Sequence, residues 1–223
     1  MPLTKYGIGV VIKSMVMLLI VSVLVWFLVG SAPLRFSVLA FVVVVAVLIL
    51  NFFRDPYRTH PHEENIVVSP ADGKVVLVKE VVEQDYLQSD AVQVSIFMSP
   101  FDVHVNRFPI SGIVEYFRHI EGQYIVAFDE KSSERNERTL IGVRDNGYKV
   151  LFKQIAGAVA RRIVAPITVG QRAVSGERFG MIKFGSRVDV IMPRTTQVTV
   201  QLHDRVVGGE TILARYSPVK KLV

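Results

Sequence analysis

The sequence predicts a mostly β domain of short strands, sandwich-like or barrel-like, preceded by an N-terminal transmembrane α-helical hairpin. Three observations lead there. Half of the 223 residues are hydrophobic, but the excess is concentrated in two uncharged runs, Ser14 to Val29 and Phe36 to Phe53. Beyond about Val67 the chain changes to short Val- and Ile-rich runs, the pattern of strands. Turn residues punctuate those runs at Asp72-Gly73, Ser111-Gly112, Asp145-Asn146-Gly147 and Gly208-Gly209.

The first 53 residues form the hairpin. Each apolar run is near the lower end of the roughly 17–25 residues that cross a bilayer as a helix. The intervening Gly30-Ser31-Ala32-Pro33 is short enough to set the two antiparallel. A signal peptide competes for the first run, because Lys5 and Lys13 precede it and small residues follow, but a second apolar run directly afterwards argues against cleavage. Neither run has the polar face that a surface helix of a soluble domain carries. Lys5 and Lys13 precede the hairpin, Arg54 and Arg58 follow it, and Arg35 alone lies in the turn. The positive-inside rule therefore puts both ends, and all that follows, on the cytoplasmic side of the cell membrane.

Residues 54–66, with Pro56 and Pro61, read as a polar linker, and residues 67–223 as the second domain. The net charge of +6 suits a domain held near acidic head groups. No dense Lys/Arg block with interleaved aromatics points to nucleic acid. The chain has no cysteine, which excludes disulfides, Cys-ligated zinc, iron–sulfur clusters and thiol nucleophiles. His60 and His62 are the one close histidine pair, too poor a setting for zinc, so no metal is expected.

Strands are expected over 75–82, 91–98, 110–117, 139–143, 149–155, 187–192, 197–202 and 211–216. Asp145-Asn146-Gly147 between two alternating runs marks a hairpin. Ala156 to Arg162 is the one short helical candidate.

Several clusters carry chemistry. Asp72, in Ser69-Pro70-Ala71-Asp72-Gly73, is either a turn cap or a catalytic carboxylate. If Ser99 to Pro109 is extended, Asp102, His104 and Asn106 share one face and Val103, Val105 and Arg107 the other. An acid, an imidazole and an amide suit proton transfer, although a lone histidine also serves as a structural hydrogen-bonding group. Asn136-Glu137-Arg138 has the composition of a solvated loop. The small residues and arginines of Gln154 to Arg162 suit either a ligand phosphate or a tightly packed helix. Gly185-Ser186, inside the apolar segment Gly180 to Val190, is either a bend in a strand or a bond open to attack by the serine hydroxyl, because glycine leaves its carbonyl unshielded and its backbone free.

Taken together, Ser-Pro-Ala-Asp-Gly at Ser69, Ser-Pro-Phe-Asp-Val-His-Val-Asn-Arg at Ser99, Asn-Glu-Arg-Thr at Asn136, Gln-Ile-Ala-Gly at Gln154 and Phe-Gly-Ser-Arg at Phe184 resemble the phosphatidylserine decarboxylase family, in its short membrane-anchored form. Each stretch is weak alone; their order and spacing are specific. The resemblance implies that Ser186 attacks the carbonyl of Gly185 and that the ester breaks by β-elimination. The products are a β chain of 1–185 and an α chain of 186–223 headed by a pyruvoyl group, the cofactor, which takes up the substrate amine and accepts electrons as CO₂ leaves.

It also implies phosphatidylserine in the membrane as substrate, with phosphatidylethanolamine as product. Asp72 matches the Asp of the family's processing triad. His104 matches the first histidine of the long form's segment, and Arg107 stands where that form has its second, processing histidine. The base that activates Ser186 is thereby left open, and His104, the one histidine of the segment, is the candidate for decarboxylation and for processing as well. Asn106, Arg107, Arg161 and Arg162 are the candidates for holding the substrate, since guanidinium forks suit phosphate and carboxylate. An ether-lipid relative acting on archaetidylserine is an alternative, as is a non-enzymatic biotinyl- or lipoyl-like membrane-anchored β domain. Against the latter, Lys183 lies in an alternating run instead of at a hairpin tip. Self-association into a homo-oligomer is compatible with all of these readings.

Overall fold

The computed structural model describes residues 2–122, 136–157, 163–183 and 186–217. They form two compact units, 1–56 and 57–223.

The first unit is the expected helical hairpin. Helices α1 (Ile8–Leu28) and α2 (Ala32–Phe52) have 21 residues each and mean hydropathies of 2.7 and 2.6, long and apolar enough to cross a membrane. Both extend further than the uncharged runs. Lys13 and Arg35 lie inside them, and Ala32 and Pro33, expected in the turn, already belong to α2. Proline fits a first helical turn because its ring presets φ and its missing N–H would have no intrahelical acceptor. Arg35 donates from Nε and Nη2 to the Val29 carbonyl at 3.0 and 2.7 Å, satisfying a terminal acceptor of α1. The N-terminal residues pair back onto the end of α2, with Thr4 N donating to Phe53 O and Asp55 N to Pro2 O, both at 2.9 Å.

The second unit is mostly β. Its strands are β1 (Ile66–Val68), β2 (Gly73–Glu83), β3 (Ser89–Met98), β4 (Val105–Arg107), β5 (Gly112–Ile120), β6 (Arg138–Asp145) and β7 (Tyr148–Ala156). They continue with β8 (Ile163–Val164), β9 (Arg172–Ala173), β10 (Arg178–Ile182), β11 (Ser186–Pro193), β12 (Gln197–Val198), β13 (Arg205–Val206) and β14 (Ile212–Arg215). Eight of them form one antiparallel sheet in the order β13-β2-β3-β11-β7-β6-β5-β9, and two three-stranded sheets, β4-β10-β8 and β1-β14-β12, complete the domain. The large sheet curls as a half-barrel.

Alternation decides its two faces. Ser186, Val188, Val190 and Met192 of β11 point to the main core, where Phe108, Phe152 and Phe179 meet with ring centroids 5.1 to 6.2 Å apart. Arg187, Asp189 and Ile191 point the other way, and Ile191 packs there with Ala91, Leu140 and Leu151 beneath Tyr86 and Leu87. The loop carrying those two is held by the Glu83 carboxylate, which accepts from the N–H groups of Asp85, Tyr86 and Leu87 at 2.7 to 2.9 Å.

The Asp145-Asn146-Gly147 hairpin is present between β6 and β7. Asp145 pairs with Tyr148, and Asn146 and Gly147 have φ of 46° and 89°, as a two-residue turn of this twist requires. Elsewhere the expectations need correction. Ile110 precedes its strand, and most of 197–202 is a short bridge followed by a turn, since Gln201 N donates to Asp204 Oδ2 at 2.7 Å. Ala156 ends β7 instead of opening a helix, and 158–162 lie outside the described residues. Residues 58–66 are partly tied down: Arg58 pairs with Asp72, Thr59 N donates to Glu210, and Ile66 begins β1.

Candidate active site

Ser186 is the first residue of β11, and its backbone lies between Met98 of β3 and Ala156 of β7. Its side chain is fully buried on the core face, and its Oγ donates to the Met98 thioether at 3.3 Å. Gly185, on the other side of the expected cut, is outside the described residues.

A second group converges on the same sulfur. Asn106 Nδ2 lies 3.8 Å from Met98 Sδ, its Oδ1 accepts from Gln154 Nε2 at 2.8 Å, and Gln154 Oε1 accepts from Thr139 Oγ1 at 2.8 Å. Asn106 and Gln154 are fully buried and Thr139 is 1% exposed. A thioether has lone pairs but no proton, so the amide end facing Met98 is the N–H end. That choice fixes every link behind it: Asn106 presents oxygen to Gln154, and Gln154 presents oxygen to Thr139. The chain delivers an N–H donor to the neighbourhood of Ser186. Gly180 makes room for it, because a Cβ there would lie 3.2 Å from Gln154 Nε2 and 2.2 Å from the Val164 carbonyl.

His104 directly precedes β4. Its carbonyl accepts from Ile182 N at 3.4 Å, which places it beside the segment leading to Ser186, and its ring is fully buried. Nδ1 lies 2.9 Å from the Asp102 carbonyl oxygen. A carbonyl only accepts, so Nδ1 carries the proton and Nε2 is the basic nitrogen of the neutral ring.

The expected one-face array of Asp102, His104 and Asn106 does not form. Residues 99–102 are a turn, in which Asp102 N donates to Ser99 O at 2.9 Å and Asp102 Oδ2 accepts from Ser99 N and Oγ at 2.8 and 2.7 Å. Extended pairing starts only at Val105.

Asp72 stands apart from the serine. Lys74 pairs with Phe97 and Phe97 with Arg187, so Asp72 precedes a strand two places from β11, about 10 Å of backbone away at the usual strand spacing. Its carboxylate accepts from Arg58 Nη2 at 2.6 Å and from Gly208 N at 2.8 Å. Arg107 is 5% exposed and donates to the Gly176 carbonyl at 2.9 Å, with its guanidinium turned inward. Arg161 and Arg162 lie outside the described residues.

Four features were not anticipated. Met98 carried no polar signal. Gln154 and Thr139 lie within the quoted stretches but were assigned no partner. Asn136 and Glu137 are buried, not solvated: Asn136 Nδ2 donates to Ala156 O at 2.7 Å and Glu137 O accepts from Ala156 N at 2.9 Å, clamping the residue that flanks Ser186. Behind the serine, Arg187 is 1% exposed and donates from Nε to Asp189 Oδ1 at 2.6 Å and from Nη2 to Ser95 Oγ at 3.0 Å.

The profile of the family described as phosphatidylserine decarboxylase matches residues 45–214. A phosphatidylserine decarboxylase proenzyme of Chlorobium phaeobacteroides is 42% identical over 214 residues, covering 96% of this chain and 99% of its own. Proenzymes of the same name from Amoebophilus asiaticus and Symbiobacterium thermophilum are 51% identical over 168 residues and 46% over 172. They cover 75% and 77% of this chain and 75% and 80% of their own.

Proposed function

The chain belongs to the phosphatidylserine decarboxylase family, and from that premise we propose that it is a proenzyme that cuts itself between Gly185 and Ser186 and then decarboxylates phosphatidylserine to phosphatidylethanolamine. The observation that carries the reading is the position of Ser186, buried at the first residue of a central strand, directly after a glycine and beside an amide donor whose orientation its neighbours fix.

In the first step the Ser186 hydroxyl adds to the Gly185 carbonyl carbon and the C–N bond gives way to a C–O ester. Loss of the Cα proton of residue 186 breaks its Cβ–O bond and frees the Gly185 carboxylate. Tautomerisation and hydrolysis then release ammonia and leave a pyruvoyl group at position 186. The residues present fit that group, since Asn106 Nδ2 offers a donor where a carbonyl oxygen needs one and the apolar walls exclude water. Bound there, a pyruvoyl supplies an electrophilic carbonyl for the substrate amine and a sink for the electrons released with CO₂.

The remaining work falls to the chain's own side chains. His104, with its proton held on Nδ1, uses Nε2 to take the Ser186 proton during processing and to carry a proton to the substrate carbon afterwards. Asn106 donates to oxygens that gain negative charge. Asp72 acts through Arg58 and Gly208, closing the loop over the sheet end, and Arg107, Arg161 and Arg162 are the candidates for the substrate's anionic groups. The two apolar helices tether the domain to the cell membrane, and the flanking basic residues favour its cytoplasmic face.

Denaturing electrophoresis and the intact mass of the small fragment test this directly. Wild type gives fragments 1–185 and 186–223, the latter with a pyruvoyl terminus, and releases CO₂ from detergent-dispersed phosphatidylserine until borohydride consumes the carbonyl. Ser186→Ala stays full length and inactive, and His104→Ala loses decarboxylation. An uncut wild-type protein active on the lipid would overturn the proposal.

A further inference from the structure

Two turns at the site end of the large sheet share one construction. In Ser99 to Asp102 the Asp102 carboxylate accepts from Ser99 N at 2.8 Å, and Phe101 near the tip is 69% exposed. In Gln201 to Asp204 the Asp204 carboxylate accepts from Gln201 N at 2.7 Å, and Leu202 near the tip is 51% exposed. Both turns are closed by further hydrogen bonds. The first is closed again by Asp102 N on Ser99 O at 2.9 Å; the second is closed by Asp204 N on Gln201 O at 3.2 Å and fastened to β2 by His203 N on Val75 O at 2.8 Å. The Asp102–Arg205 ion pair, at 3.3 Å, joins the two. Lys74, exposed, pairs with Arg205 across β2 and β13, so it stands beside the Asp102–Arg205 pair and the Asp204 carboxylate at the base of the apolar tips.

Single exposed apolar side chains are ordinary. Two of them on preformed turns, fastened together by the Asp102–Arg205 pair with Lys74 beside it, make one exposed apolar feature. The first turn also belongs to the site: Asp102 supplies the carbonyl that fixes the His104 ring. We propose that Phe101 and Leu202 form a second membrane contact, separate from the helical hairpin, that dips into the interfacial layer of an anionic bilayer at the mouth of the site. The partner is a lipid surface because exposed apolar tips match acyl chains and the nearby Lys74 ammonium matches negatively charged head groups above them. A lipid whose head group must enter the protein has to rise only a short way from a bilayer in which the rim of the site is already seated. The inference rests on the reading of a membrane lipid as substrate.

Trp26 is the sole tryptophan of the chain, which allows a direct depth measurement. The full-length protein carrying Trp26→Phe and Phe101→Trp is reconstituted into vesicles of phosphatidylserine and phosphatidylcholine brominated near the glycerol end of the acyl chains. Quenching of the introduced indole's fluorescence is the expected result. Absence of quenching overturns the proposal, and a spectral shift that depends on protein concentration without quenching assigns the tips to a second copy of the chain instead. In parallel, Leu202→Ser, which leaves the Ser99–Asp102 turn intact, should leave self-cleavage and turnover of a short-chain, monomeric phosphatidylserine unchanged while raising KM for the lipid in vesicles about tenfold. An unchanged vesicle KM overturns the membrane contact alone. A wild type that acts on neither form of phosphatidylserine overturns the substrate reading instead.

Discussion

Ser186 gives its hydroxyl proton to the sulfur of Met98, its partner across the β3–β11 ladder, at 3.3 Å. Sulfur is a weak acceptor, so the hydroxyl is oriented without being tightly held. Met98→Leu keeps the volume and removes the acceptor. The fold should lose less than about 1.5 kcal/mol, as in other volume-conserving core swaps. Cleavage of the precursor should slow by about fivefold, the worth of one ordinary hydrogen bond. The half-time of fragment appearance on a denaturing gel reads it.

The orientation of the Asn106 amide should depend on a residue that never reaches the site. Thr139→Val removes the donor to Gln154 Oε1 and strands a buried acceptor, at a cost of about 1–3 kcal/mol. Thr139→Ser restores the hydroxyl and should restore activity with it. Chemical denaturation together with kcat separates the stability loss from the loss of turnover, and equal kcat in both variants would show that the amide is oriented by something else.

The Arg187–Asp189 pair should behave unequally towards single and double substitution. Asp189→Leu alone leaves a guanidinium uncompensated at 1% exposure and should cost about 3–5 kcal/mol. Arg187→Met added to it should recover most of that loss, because the apolar pair no longer demands solvation. A double-mutant cycle on unfolding free energies measures the difference.

Glu83 predicts an acid limb in the stability curve. Burial works to raise its pKa, but the N–H groups of Tyr86, Asp85 and Leu87, with the charge of Lys153, outweigh it and hold the carboxyl below its usual 4.5. A carboxyl with a depressed folded pKa stabilises above the unfolded value and loses that contribution as pH falls through the folded one. Glu83→Gln should therefore be less stable than wild type by about 1 kcal/mol at pH 7. The two curves should converge below pH 4.5, as urea midpoints across pH would register.

Val- and Ile-rich runs between turn signals made the long strands β2, β3, β6, β7 and β11 legible, although only β2 alternates clearly in burial while β6, β7 and β11 are covered on both faces. The Asn146-Gly147 hairpin has only one comfortable geometry. The two- and three-residue strands β4, β8, β9 and β13 were not legible, because pairs that short have no period and exist only through tertiary pairing. Ser186 and His104 were singled out through the quoted stretches, and both are fully buried in the fold. The Thr139–Gln154–Asn106 chain was invisible because its members are 15 and 48 residues apart and meet only when β6, β7 and β4 are assembled. Asn136 and Glu137 misled for the opposite reason: polar composition describes solvent only when the backbone around it is exposed, and here it is occupied by Ala156. Likewise Asp102 looked extended from its neighbours, whereas its own carboxylate pulls the chain into a turn.

The expected cut would fall at the edge of β11, and β11 lies between β3 and β7 in the middle of the large sheet, while β13 and β14, from the same fragment, pair with β2 and β1. The mature protein would then be two polypeptides woven through one sheet system. Neither fragment could leave without unstitching the ladder, so no linker is needed to keep them together, and dilution should not separate them. Yet the assembly could be built only once. Folding would have to run to completion on a single chain, and the severed amide would then erase the route by which the native state was reached. Heated past its transition, the mature enzyme would not return on cooling, whereas the uncut Ser186→Ala chain still has its original path. Its durability would be a matter of barrier height and history, in the manner of a proteolytically matured hormone whose precursor alone knows how to fold.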